Sequence, residues 1–97
     1  MHDNYYSQKP CRSELKWKRA RDGAIIIRTD SNQLIGLAPF GMDIYEKCSG
    51  KTTILEITQY LQKKYPHISI YQIEDEIYRF LHFLQSVGVL VICTDDF

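Results

Sequence analysis

"LIGLAPFGMDIYEKCSGKTT", residues 34–53, is where the chain changes character. "QLIGLA", Gln33 to Ala38, is apolar and short, the pattern of a strand. Pro39 then stands where a helix would begin, and its fixed φ suits the first helical turn. Phe40, Ile44 and Tyr45 recur at helical spacing, and Ser49-Gly50 ends the run. Strand, turn and short helix therefore follow one another with no reactive group among them.

Upstream of this stretch the pattern is β. In "ELKWKR", Leu15 and Trp17 alternate with Lys16 and Lys18, which predicts a half-buried strand. Asp22-Gly23 predicts a hairpin turn, since both residues tolerate positive φ. "AIIIR", Ala24 to Arg28, is β-branched and predicts the second strand. "TDSN" is a further turn, so the three strands form an antiparallel meander. Residues 1–13 show no periodicity and read as a loose arm.

Downstream the pattern is α. Thr53 with Glu56 three residues on is a capping box, in which hydroxyl and carboxylate satisfy free N–H groups reciprocally. Ile54, Ile57, Tyr60 and Leu61 give that helix its apolar face, and Pro66 ends it. Ser69 with Gln72 predicts a second box. The last helix runs from about Ile70 to Val87, with Ile73, Ile77, Phe80, Leu84 and Val87 as its core stripe. Gly88 stops it, and "VLVIC", Val89 to Cys93, is a final strand or extended tail.

The expected fold is α+β and winged helix-turn-helix-like. A three-stranded antiparallel meander is followed by three helices and a short C-terminal strand. Residues 1–14 are expected to be a flexible arm, 15–93 one domain and 94–97 a tail.

Composition agrees with one globular unit: 97 residues, 44% hydrophobic and 25% charged. No apolar run reaches the roughly 18 residues that span a bilayer. The opening "MHDNYYSQKPCRSE" lacks the charged and apolar regions of a signal peptide, so cytoplasmic residence is the expectation. Cys11, Cys48 and Cys93 are odd in number, widely spaced and without a CxxC, which argues against disulfides and zinc. Cys48 and Cys93 read as small buried apolar groups. Net charge is zero but uneven. Residues 1–30 carry seven cations against four anions, and residues 43–97 carry five against eight.

Nothing in the pattern asks for catalysis, a metal or a cofactor. His2, His67 and His82 lack a nucleophile or orienting acid at useful spacing. Glu74, Asp75 and Glu76 point about 100° apart on a helix and do not converge on one ion. "SGKTT" echoes the end of a P-loop but lacks its first glycine and preceding strand.

A winged helix that reads DNA lays its last helix in the major groove with cations on the phosphates. Here the exposed face of that helix begins Tyr71, Glu74, Asp75, Tyr78, with Arg79 its one full cation, so nucleic acid is disfavoured as a partner. A winged-helix DNA-binding regulator is the alternative reading, and an adaptor for another protein ligand a third.

A peptide groove fits better. The meander has edges, and an exposed edge is either protected or used. Gly36 in mid-strand marks either a bulge or the close approach of another backbone. Glu74, Tyr78, Leu81 and Gln85 line up along one flank of the last helix, expected to lie beside that strand. An edge and a part-apolar flank would hold an extended peptide by main-chain hydrogen bonds and side-chain pockets. The same edge could pair with itself and give a homodimer.

The stretch 34–66, followed by "IEDEIYRFLHFLQSVGVL", resembles the PqqD-like family, also called RiPP recognition elements. Leu37, Gly41, Ile44, Gly50, Thr53, Ile57, Leu61, Tyr65, Ile77, Phe80, Leu81, Leu84, Gly88 and Leu90 fall on that family's pattern, over about residues 15–92. The polar residue that usually follows the strand's leucine is Ala38 here, with Pro39 next. The resemblance implies a non-catalytic carrier that binds the leader segment of a ribosomally made precursor peptide. It implies presentation of that peptide to a separate modifying enzyme, often a radical SAM protein. It also implies backbone pairing through Leu34, Ile35 and Gly36, with Glu74, Tyr78, Leu81 and Gln85 as the helix wall.

Overall fold

In the computed structural model, which describes residues 3–21 and 25–93, the meander is present. Its strands are β2 (Trp17–Arg19), β3 (Ile25–Arg28) and β4 (Leu34–Leu37), antiparallel in the order β2-β3-β4. The expected Asp22-Gly23 turn, Ala24, His2 and the tail 94–97 lie outside the described residues. Alternation sorts β3 cleanly: Ile25 and Ile27 are wholly buried, while Arg28 is exposed. The β3–β4 turn closes through Asn32, whose φ of 69° is one that asparagine tolerates. Thr29 Oγ1 accepts the Gln33 N–H at 3.0 Å and holds the turn.

Helices α2 (Pro39–Lys47), α3 (Ile54–Lys64) and α4 (Ile70–Ser86) follow. The α3 capping box forms as expected: Glu56 N–H donates to Thr53 Oγ1 at 3.1 Å and Thr53 N–H to Glu56 Oε1 at 2.8 Å. At α4, Gln72 N–H donates to Ser69 Oγ at 3.1 Å, and only this half of the second expected box is made among the described residues. Gly88, at φ +78°, ends α4. Asp43 of α2 ties down the far end of α3, accepting from Lys64 Nζ at 2.8 Å and from the Tyr65 hydroxyl at 2.7 Å.

The core stripe of α4 differs from expectation by one step of the helix. Ile73, Ile77, Leu81 and Leu84 are buried, while Phe80 and Val87 are only partly so. Leu81, at 2% exposure, has the place expected for Phe80. The two residues are adjacent and both apolar, so spacing alone could not rank them. Packing did, and the smaller side chain went inward.

Residues 3–12 also differ from the expected loose arm. They form α1 (Asp3–Ser7) and β1 (Lys9–Arg12). β1 pairs antiparallel with β5 (Leu90–Cys93), with Lys9 opposite Cys93 and Arg12 opposite Leu90. Its other side bonds to the α2–α3 connection: Arg12 N–H to Cys48 O and Gly50 N–H to Pro10 O, both 2.9 Å. Gly50 sits at φ +84°, and a Cβ there would come within 3.1 Å of Cys11 Sγ, so glycine is required. "KPCR" carries no alternation of its own. Its partners lie some 40 and 80 positions along the chain, out of reach of any local pattern.

Arg12 joins the two regions. Its guanidinium donates to Tyr45 O at 2.9 Å and Glu46 O at 3.1 Å, capping the carbonyl end of α2. It also lies over the Tyr45 ring at 5.5 Å, while Trp17 meets that ring edge-on at 5.8 Å. Tyr45 is fully buried, yet its hydroxyl has no hydrogen-bond partner among the described residues. Cys48 is buried as expected, and its thiol donates to Ile44 O.

Two outcomes follow from these buried groups. Tyr45→Phe removes an unsatisfied hydroxyl and keeps the ring, so urea unfolding should show it more stable by about 1 kcal/mol. Burial pushes the Cys48 thiol up to about 12, with Arg12 opposing, and burial also pushes Tyr5 up to about 12. Both groups hold their proton more tightly folded than unfolded, so their contribution is intact below the unfolded values and fades as pH rises. The urea midpoint should hold steady from neutrality to about pH 9 and fall from there toward 12, and Cys48→Val should flatten the start of that fall.

Candidate peptide-binding cleft

The register of the meander decides which backbone groups of β4 are free. Arg28 N–H donates to Lys16 O at 2.9 Å, toward β2, whereas Thr29 N–H donates to Gln33 O at 2.8 Å, toward β4. In an antiparallel ladder this direction alternates by residue. Ile35 and Leu37, opposite Ile27 and Ile25, therefore bond to β3. Leu34 and Gly36 turn their N–H and C=O outward. β4 is the last strand of its sheet, so these groups face an open edge. A Cβ on Gly36 would meet nothing within 4 Å, so the outer face of the sheet is open there.

Beside this edge lies a cleft of about 280 Å³. Ile35, Gly36 and Leu37 form its strand side, Phe40 and Gly41 of α2 its floor, and Glu76, Phe80 and Phe83 of α4 its far wall. Its size is just below what small-molecule ligands fill, about 300–1,000 Å³. It suits side chains projecting from a strand. A second, smaller cleft of about 140 Å³ continues from it and shares Phe40 and Glu76. Gly41 sets the floor's shape, because a Cβ there would lie 2.7 Å from the Phe80 ring.

The structure divides the residues expected to form the groove. Ile35 and Gly36 line the cleft. The Leu34 side chain, 64% exposed, belongs to the outer face of the sheet, with Lys16, Lys18, Ile26 and Arg28 around it. On α4, the flank expected beside the strand is turned elsewhere. Glu74 accepts from the Tyr6 hydroxyl at 3.1 Å, and Tyr78 tilts against Tyr5 at 6.0 Å, so this side of the helix meets α1. Leu81 is in the core, and Gln85 is exposed and outside the cleft lining. Two residues along a helix is a rotation of about 200°, which is why 76, 80 and 83 face the cleft when 74, 78 and 81 do not.

Glu76, Phe80 and Phe83 are thus the wall that spacing missed. Spacing assigns Phe80 to the core and gives Glu76 no place beside the strand. One signal was present: Phe83 lies off the core stripe and is 48% exposed, a large apolar group without a packing reason.

The remaining chemistry is sparse. Among the described residues no three His, Cys, Asp or Glu side chains are placed to hold a metal ion. His67 and His82 are exposed, and His82 stacks on Tyr78. No helix among the described residues is long and apolar enough to cross a membrane.

A model of the family described as "Coenzyme PQQ synthesis protein D (PqqD)" matches residues 23–90. No curated protein and no solved structure matches the chain. The matched span contains β3, β4 and all of α2, α3 and α4, hence every residue of the cleft, and leaves α1, β1 and β2 outside. With most of its length covered in this way, the chain belongs to the PqqD family.

Proposed function

We propose that this protein is a non-catalytic carrier for a ribosomally made precursor peptide. Its leader segment would add as a strand to β4 and lay alternate side chains into the cleft against α4. The core segment would then be presented to a separate modifying enzyme, a radical SAM protein being the partner the family resemblance suggests. The observation that carries the reading is the open edge. Leu34 and Gly36 offer outward N–H and C=O groups directly beside an apolar cleft, in a protein of the PqqD family.

The winged-helix DNA reading has less behind it. The solvent face of α4 carries Tyr71 at 80% exposure, and Asp75 pairs with Arg79 at 3.0 Å, so the one cation there is already engaged. The basic outer face of the sheet is a separate surface, and duplex binding there would fall steeply with salt. Leader binding in the cleft would not. A free β4 edge also allows pairing with a second copy, in which case leader and dimer compete for the same groups.

The test is calorimetric titration of a short peptide encoded beside the gene, using its N-terminal half. Micromolar or tighter binding is expected, and no binding would overturn the carrier reading. Gly36→Pro removes an outward N–H that the fold does not use, so circular dichroism should be unchanged while affinity falls at least about tenfold. Gly41→Ala should drive the Phe80 ring toward the cleft, weakening the peptide about threefold to tenfold with only a modest drop in melting temperature.

A further inference from the structure

The three acidic residues near the start of α4 have different fates. Glu74 is engaged by the Tyr6 hydroxyl at 3.1 Å. Asp75 is engaged by Arg79 at 3.0 Å. Glu76 makes no hydrogen bond or ion pair among the described residues. It is also the one charged residue in the lining of either cleft, and it stands where the two clefts meet. Around it the lining is apolar, from Ile35 and Phe40 to Phe80 and Phe83.

A strand lying along β4 would place every second side chain over this surface, at a repeat of about 7 Å. Covering the cleft would strip water from the Glu76 carboxylate. An apolar or acidic side chain there would leave that charge without a partner, which is costly. A lysine or arginine would replace the lost water with a charge-assisted hydrogen bond, and the neighbouring phenyl faces would favour the same cation. Discrimination thus comes from both the pair gained and the unpaired charge avoided.

We propose that Glu76 selects a lysine or arginine in the bound peptide, set between apolar residues that enter the cleft on either side. This deepens the carrier reading and rests on it. The ligand class is an extended peptide of the form apolar–x–basic–x–apolar, with Glu76 as the residue that sets its charge.

The test uses random-peptide display on the full chain, wild type against Glu76→Gln, Glu76→Lys and Gly36→Pro. Wild-type binders should carry a basic residue at a fixed distance from alternating apolar ones, and Gly36→Pro should lose them. In calorimetry, changing that basic residue of the best binder to glutamine should weaken wild type about fivefold and leave Glu76→Gln unchanged. Glu76→Lys should enrich acidic residues at the same position. Binders that depend on Gly36 but show no basic preference, or a preference that persists in Glu76→Gln, would overturn this proposal and leave the carrier reading standing. If neither the library nor an encoded leader yields a binder that Gly36→Pro abolishes, the carrier reading fails and this proposal fails with it.

Discussion

The ladder between β3 and β4 is the constraint on which the rest of the molecule turns. Its register sets Ile27 opposite Ile35 and Ile25 opposite Leu37, which sends those side chains toward the core. It also engages the backbone of Ile35 and Leu37 and leaves that of Leu34 and Gly36 unpaired. A slip of one residue would reverse both assignments at once, because side-chain direction and hydrogen-bond direction share a period of two. The burial of two isoleucines and a leucine on one face, each at 5% exposure or less, makes such a slip expensive. Core packing and an open edge are therefore two results of one register.

The helix opposite that edge has two working sides. One is fastened: α1 lies over it, with Tyr6 on Glu74 and Tyr5 against Tyr78. The other is open and apolar, with Phe83 half exposed above Phe80. The fastening lies outside the family match, which begins at residue 23. So does Arg12, which holds the end of α2 through two carbonyls and thereby steadies the helix that supplies the cleft floor. A cleft wall is only as well placed as the groups behind it, and here those groups are Tyr5, Tyr6 and Arg12.

Where the sequence could be read, the signals were local. Thr53 and Glu56 stand three apart and cap one another, Gly88 stops a helix with a φ that glycine tolerates, and the β-branched run 25–27 makes a strand. The misread features depend on distant partners. "KPCR" becomes a strand because residues 90–93 offer it a ladder, not because its own side chains alternate. The groove wall was misplaced for a different reason. Phe80 and Leu81 are neighbours of similar hydrophobicity, and the stripe passes equally well through either. Choosing Phe80 for the core turns the apparent outward face by about 100°. The tie was broken by packing against the sheet and α2, where Gly41 leaves room for a ring beside the cleft.

The pairing of β1 with β5 has a consequence for the order in which the fold can form. Lys9, the first residue of one strand, lies opposite Cys93, the last residue of the other, so the ladder closes a loop of more than 80 residues. Closing a loop that long costs entropy that the ladder repays only when its two strands meet. The turns and helices between them are local and can form first, which makes this small sheet the slow, long-range step of folding. Arg12, at the end of β1, reaches the carbonyls of α2 only from that closed position.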